Sequence, residues 1–173
     1  MSNPYAEIFR RPGTKGFSAA GFIARLPLPM TTIGIVAMLS QTHGEYWLAG
    51  TVSATFAMAN AFIAPQVSRW VDVKGQAKVL IPMVTLAFLA LIGLCLAAWL
   101  SAPNEMLFML ALIAGVMPSI GSMVRARWTE IYRGKSQLHT AFAFESVLDE
   151  LLYMAGPVFG IGLSIALFPE AGV

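Results

Sequence analysis

The chain has 173 residues, 57% of them hydrophobic and only 12% charged, with a formal net charge of +2 and a mean hydropathy of +0.71. Soluble domains carry about 45–50% apolar and about 25% charged residues, so there is too little charge here to cover a water-facing surface. A soluble enzyme, a disordered chain and a nucleic-acid binder are excluded together, and an integral membrane protein remains.

Residues 1–16 read as a cytoplasmic N-terminal tail carrying Arg10, Arg11 and Lys15. Residues 17–173 read as a transmembrane bundle, with helices at about 17–40, 46–68, 79–100, 106–125 and 138–168, each apolar enough to approach the ~20 residues that a crossing needs. The assignment follows runs free of Asp, Glu, Lys and Arg at 26–44, 46–68, 79–104, 106–124 and 151–169. Backbone polar groups in lipid must be satisfied within their own segment, which makes these runs helices; the alternation of a membrane barrel is absent. The apolar run after Lys15 is too long for the core of a secretory signal, so the first helix is expected to be retained.

Charge sets the orientation. The turns at 41–45 and 101–105 hold no Lys or Arg, whereas the tail, the loop with Arg69, Lys74 and Lys78, and the loop with Arg125, Arg127, Arg133 and Lys135 hold ten of the 11 basic residues. Cytoplasmic loops keep the Lys/Arg excess, so the N-terminus is expected inside and the fifth helix is expected to end outside. Small residues mark where helices pack in lipid. Gly50, Ala54, Ala57, Ala61 and Ala64 form one such stripe; Ala114, Pro118, Gly121 and Ser122 form another. These stripes predict tight packing, or a sliding surface between moving bundles.

Four ionisable residues fall within spans: Arg25, Glu145, Asp149 and Glu150. Such groups cost about 2.5–3.5 kcal/mol each at a helix centre and mark function by default. Glu145 and Asp149, four apart, share a helix face, and Glu150 points away. Stacked acids in low dielectric repel, a condition that favours taking up a proton. The candidates for proton or substrate coupling are therefore Asp149, Glu145, Glu150 and Arg25. The alternative is a set of inner-gate salt bridges to Arg125, Arg127 or Arg25, with Asp149, the deeper acid, leaning toward coupling. Arg25 is a counter-ion or a snorkelling side chain. Asn60 reads as an interhelical hydrogen bond more than as a substrate ligand. His43, His139 and the single Cys95 carry no metal or disulfide pattern, and no nucleotide-binding or hydrolase motif is present, so neither metal, cofactor nor catalytic residue is expected.

Between the second and third helices stand Ser68, Asp72, Val73, Gly75, Ala77 and Lys78. Asp72, Gly75 and Lys78 match the loop signature of the major facilitator superfamily, which this segment resembles in sequence and place. Gly156, Pro157 and Gly160 in the fifth helix are similar to that family's antiporter motif, with Leu152 and Ile161 in place of its outer glycines. The resemblance covers about 17–168. It implies an all-α membrane protein, five transmembrane helices of a six-helix N-terminal transporter bundle, in the cytoplasmic (inner) membrane. It also implies alternating-access secondary transport of a small solute, proton-coupled and efflux-like, with Asp72 and Lys78 locking one state. The superfamily's substrate lies between two halves. The partners expected are therefore the lipid bilayer, a small-molecule solute, protons, and either missing C-terminal helices or a second copy. A non-transporting scaffold that packs against partner helices is the alternative.

Overall fold

Most of each charge-free apolar run folds as helix. The structure is a computed structural model that describes residues 4–173. Among them every regular element is helical: α1 (Pro4–Ile8), α2 (Thr14–Arg25), α3 (Pro27–Thr42), α4 (Tyr46–Lys74), α5 (Gln76–Trp99), α6 (Asn104–Ala114), α7 (Ile120–Tyr132) and α8 (Gln137–Ala166), followed by a 3-10 turn at Pro169–Gly172. Four stretches are long and apolar enough to cross a membrane: Thr14–Thr42, Tyr46–Lys74, Gln76–Trp99 and Gln137–Ala166.

The helix boundaries differ from the charge-free runs for local reasons. The first stretch starts earlier than expected and is divided at Leu26, because Pro27 lacks the N–H that a continuous helix would use. Leu26 itself stays in the right-handed helical region, at φ −59° and ψ −38°. The fourth expected span is broken outright. α6 has 11 residues, about 16 Å of helix, which is half of a ~30 Å hydrocarbon core. Pro118 ends the helical run before α7 begins at Ile120. The freed carbonyls of Gly115 and Met117 accept hydrogen bonds from Asn60 Nδ2 at 3.2 and 2.8 Å. That is the interhelical role expected of Asn60.

The chain forms two compact units, one made of the residues up to Leu26 with Ser119–Ala155, the other of Pro27–Pro118 with Gly156–Val173. In the first, α2 packs on α7 around a buried core of Ile8, Val124, Trp128, Tyr132 and Ala141. Trp128 is surrounded by Phe9, Phe17 and Tyr132 at centroid distances of 5.9, 4.7 and 5.9 Å. Part of the N-terminal segment contributes to this core: Ile8 is fully buried, and its carbonyl accepts a hydrogen bond from Tyr132 Oη at 2.9 Å.

In the second unit α3 packs on α4, α5 on α6 and α4 on α6, enclosing Met38, Leu39, Leu48, Val52, Phe56, Leu94 and Leu107. The small-residue stripe of α4 is turned the other way from expectation. Gly50, Ala54, Ala57 and Ala61 are exposed, whereas Ala64 is buried with Val52, Ser53, Phe56, Ala59 and Val67. The buried face mixes large and small side chains, while Trp47, Met58 and Phe62 are exposed on the same helix. Close backbone approach occurs elsewhere. A Cβ at Gly115 would run into Ala59 Cβ and the Phe56 carbonyl, and one at Gly34 into the Gly172 carbonyl.

Candidate functional site

Four charged residues of α2, α7 and α8, namely Arg25, Arg125, Glu145 and Asp149, converge in the first unit. On α2, Ser18, Gly21 and Arg25 recur at spacings of three and four and so share a face. Arg25 Nε donates to the Gly21 carbonyl at 3.0 Å, which fixes the side chain along its own helix. Glycine at position 21 is required for the approach of α7, since a Cβ there would strike Val124 Cγ2.

The guanidinium of Arg25 reaches two carboxylates one turn apart on α8. Its Nη2 pairs with Glu145 Oε2, and its Nη1 pairs with Asp149 Oδ1 at 2.6 Å. From α7, Arg125 Nη2 pairs with the other oxygen, Asp149 Oδ2, at 2.5 Å. Glu145 Oε1 accepts from Trp128 Nε1 at 2.7 Å and from Ser18 Oγ at 3.3 Å. Gly121 leaves room for the cluster: a Cβ there would sit 3.4 Å from Arg25 Cδ and 3.8 Å from Asp149 Oδ1.

The result is a chain of alternating charge, Glu145–Arg25–Asp149–Arg125, with two cations and two anions. Its relative exposures run from 0% at Glu145 and 7% at Arg25 to 24% at Asp149 and 37% at Arg125. Buried ions are tolerated when paired and fully hydrogen-bonded. Glu145 meets that condition with three donors. Asp149 has one guanidinium on each oxygen and is the acid nearer the open end. Arg25 between the two carboxylates removes the repulsion that their spacing alone would impose.

The other residues singled out by sequence take no part in this network. Glu150 is exposed and forms no ion pair among the described residues. Arg127 pairs with Glu130 at 2.6 Å on an exposed face of α7. Asp72, Gly75 and Lys78 belong to the second unit, where Gly75 alone separates α4 from α5 with φ 86° and ψ 152°. Asp72 and Lys78 are exposed. Gly156 and Gly160 allow close packing within that unit: a Cβ on the first would meet Pro29, and on the second Ile33 and the Met30 carbonyl. Pro157 lies inside α8. Among the described residues no group of three His, Cys, Asp or Glu side chains could hold a metal ion.

No family model, curated protein or solved structure matches the chain. The ion network is what remains to indicate function. Sequence reasoning missed two of its members, Trp128 and Ser18. Both were within reach of a helical-face argument, because Trp128 follows Arg125 by three residues and Ser18 precedes Arg25 by seven.

Proposed function

We propose that the protein is a secondary active transporter of the major facilitator type that moves a small solute across the cytoplasmic membrane, coupled to protons. The observation that carries this reading is the alternating Glu145–Arg25–Asp149–Arg125 network, in which Glu145 and Arg25 are buried. A purely structural helix pair in lipid is held adequately by small residues and dispersion contacts. Four matched charges add a set of bonds that a single proton can rearrange.

The two acids have different parts in this mechanism. Glu145 is wholly enclosed and holds Arg25 and Trp128 in place. Asp149 is the exchangeable member: protonating it neutralises the anion shared by Arg25 and Arg125, releasing the outer cation and leaving the inner pair intact. Such a change biases a two-state element by a local charge step, which is what coupling requires. The break between α6 and α7 and the prolines at Pro27 and Pro157 supply points where apolar helices can bend. The fifth crossing, formed from the region of α6 and α7, the inside location of the N-terminus and the gate role of Asp72 and Lys78 are part of the same proposal.

The test is proton flux in proteoliposomes with trapped pyranine, challenged with a panel of organic cations, sugars and amino acids under an imposed pH gradient. A solute that dissipates the gradient with wild type and fails to do so with Asp149→Asn supports the assignment. Full coupled flux in Asp149→Asn overturns it, and absence of flux for the whole panel favours the scaffold alternative.

A further inference from the structure

A second polar feature of the first unit takes no part in the ion network. Glu7, Arg10, Arg11, Tyr132, Lys135 and Gln137 line a cleft of about 380 Å³. Three cations and one carboxylate face the same space, an excess of positive charge that an anion would relieve.

The walls are held by buried structure. Ile8, between the acid and the two arginines, is fully enclosed, and Tyr132 Oη holds its carbonyl. The carbonyl of Arg11 accepts from Thr14 Oγ1 at 2.7 Å and from Thr14 N at 3.3 Å, which pins the basic segment behind it. The Arg11 guanidinium lies over the Tyr132 ring at 5.6 Å from its centroid. Its face is thereby occupied, and its N–H edge is left for an acceptor. Before Lys135, Gly134 turns the chain at φ 73°, and Lys135 N bonds the Tyr132 carbonyl at 3.0 Å. Gln137, the first residue of α8, completes the wall. The cleft therefore adjoins the positive end of a helix that is itself a candidate membrane span.

We propose that this cleft binds a phosphate group, presented by an anionic phospholipid headgroup or as a free phosphate. Two guanidinium groups and an ammonium around one space suit a tetrahedral anion with several acceptor oxygens. Basic residues at the mouth of a membrane helix are where headgroup phosphates are concentrated.

The experiment uses the whole protein in neutral detergent. Bound lipid is measured by native mass spectrometry with phosphatidylglycerol and with zwitterionic phosphatidylcholine, and inorganic phosphate is titrated as competitor. Phosphatidylglycerol is expected to bind about tenfold or more tightly than phosphatidylcholine, with a comparable loss in Arg10→Gln/Lys135→Gln. The same charge change at Lys74→Gln/Lys78→Gln is expected to have under about a twofold effect. Lys135→Gln alone, on an exposed turn, serves if the double variant does not fold. Displacement of the lipid by millimolar inorganic phosphate, with the same dependence on Lys135, assigns the site to free phosphate; lack of displacement assigns it to the headgroup. Equal binding of the two lipids with no effect of inorganic phosphate overturns the proposal, as does equal loss in both double variants.

Discussion

Arg25 and Glu145, 120 positions apart in sequence, form an ion pair in which neither side chain is more than 7% exposed. The same guanidinium also holds Asp149. One buried cation thus satisfies two acids on successive turns of a neighbouring helix, and the cost of its loss falls on both.

Removing Arg25 alone should therefore be severe. Arg25→Leu leaves Glu145 buried without its cation, a change that typically costs about 3–5 kcal/mol. Arg25→Leu/Glu145→Leu deletes both charges and should recover much of that loss, since an apolar pair of similar volume is often neutral. Denaturant unfolding in mixed micelles gives the double-mutant cycle. Additive costs for the two single variants would show that the two side chains do not stabilise each other.

Trp128 has two functions that can be separated. Its ring fills the aromatic core, and its Nε1 donates to Glu145 Oε1 at 2.7 Å. Trp128→Phe keeps most of the ring contacts and deletes the donor to a buried carboxylate, at a cost of about 1.5–3 kcal/mol. Ser18→Ala removes the longer 3.3 Å bond to the same oxygen and should cost less, about 1 kcal/mol or below. The predicted order of unfolding midpoints is wild type, Ser18→Ala, Trp128→Phe. Reversal of the two variants would show that Glu145 depends on the hydroxyl and not on the indole.

The glycines divide in a way that a simple scan can read. Gly75 has φ 86° and ψ 152°, a region that side chains other than glycine enter only under strain of about 1–3 kcal/mol. Gly50 lies inside α4, and a methyl group added there would meet nothing within 4 Å. Gly75→Ala should destabilise by about 1–3 kcal/mol, whereas Gly50→Ala should stabilise by about 0.5–1 kcal/mol through helix propensity. Equal effects on the melting temperature at the two sites would mean that the Gly75 turn relaxes freely.

The close contact between Asn60 and the α6–α7 break is a further point of vulnerability. Asn60→Leu frees two carbonyls, those of Gly115 and Met117, and should cost about 1–3 kcal/mol. Gly115→Ala places a methyl group against Ala59 and the Phe56 carbonyl and should cost a similar 1–3 kcal/mol, roughly the penalty of overpacking. Melting temperatures in detergent would check both. Wild-type stability in either variant would show that the break is not held by α4.

Much of the helical layout was legible because charge is so scarce: Glu45, Lys74 and Glu105 stand at or beside helix ends. The division at Pro118 was equally visible as a residue, but the surrounding apolar run masked its effect. The orientation of the α4 stripe was not legible, since Gly50, Ala54, Ala57 and Ala61 and the inward Val52, Phe56 and Ala59 follow the same helical period. The presence of Arg25, Glu145 and Asp149 among apolar neighbours identified them as candidates. Their mutual contact was not readable, because no sequence pattern links positions 120 apart.

The two ends of α5 test the expected membrane orientation. This helix has 24 residues, about 36 Å of length, enough to cross a ~30 Å hydrocarbon core and place its ends in different aqueous phases. Lys74 precedes it and Glu105 follows it, and both are exposed. By the Lys/Arg excess in 69–78 and its absence in 101–105, the first end is expected inside. In a Cys95→Ala background, Glu105→Cys should react with an impermeant maleimide applied outside sealed cells. Lys74→Cys should react only after the membrane is permeabilised. Labelling of both from the same face would mean that α5 does not span, and exchanged accessibility would mean that the charge rule is overridden by another segment of the protein.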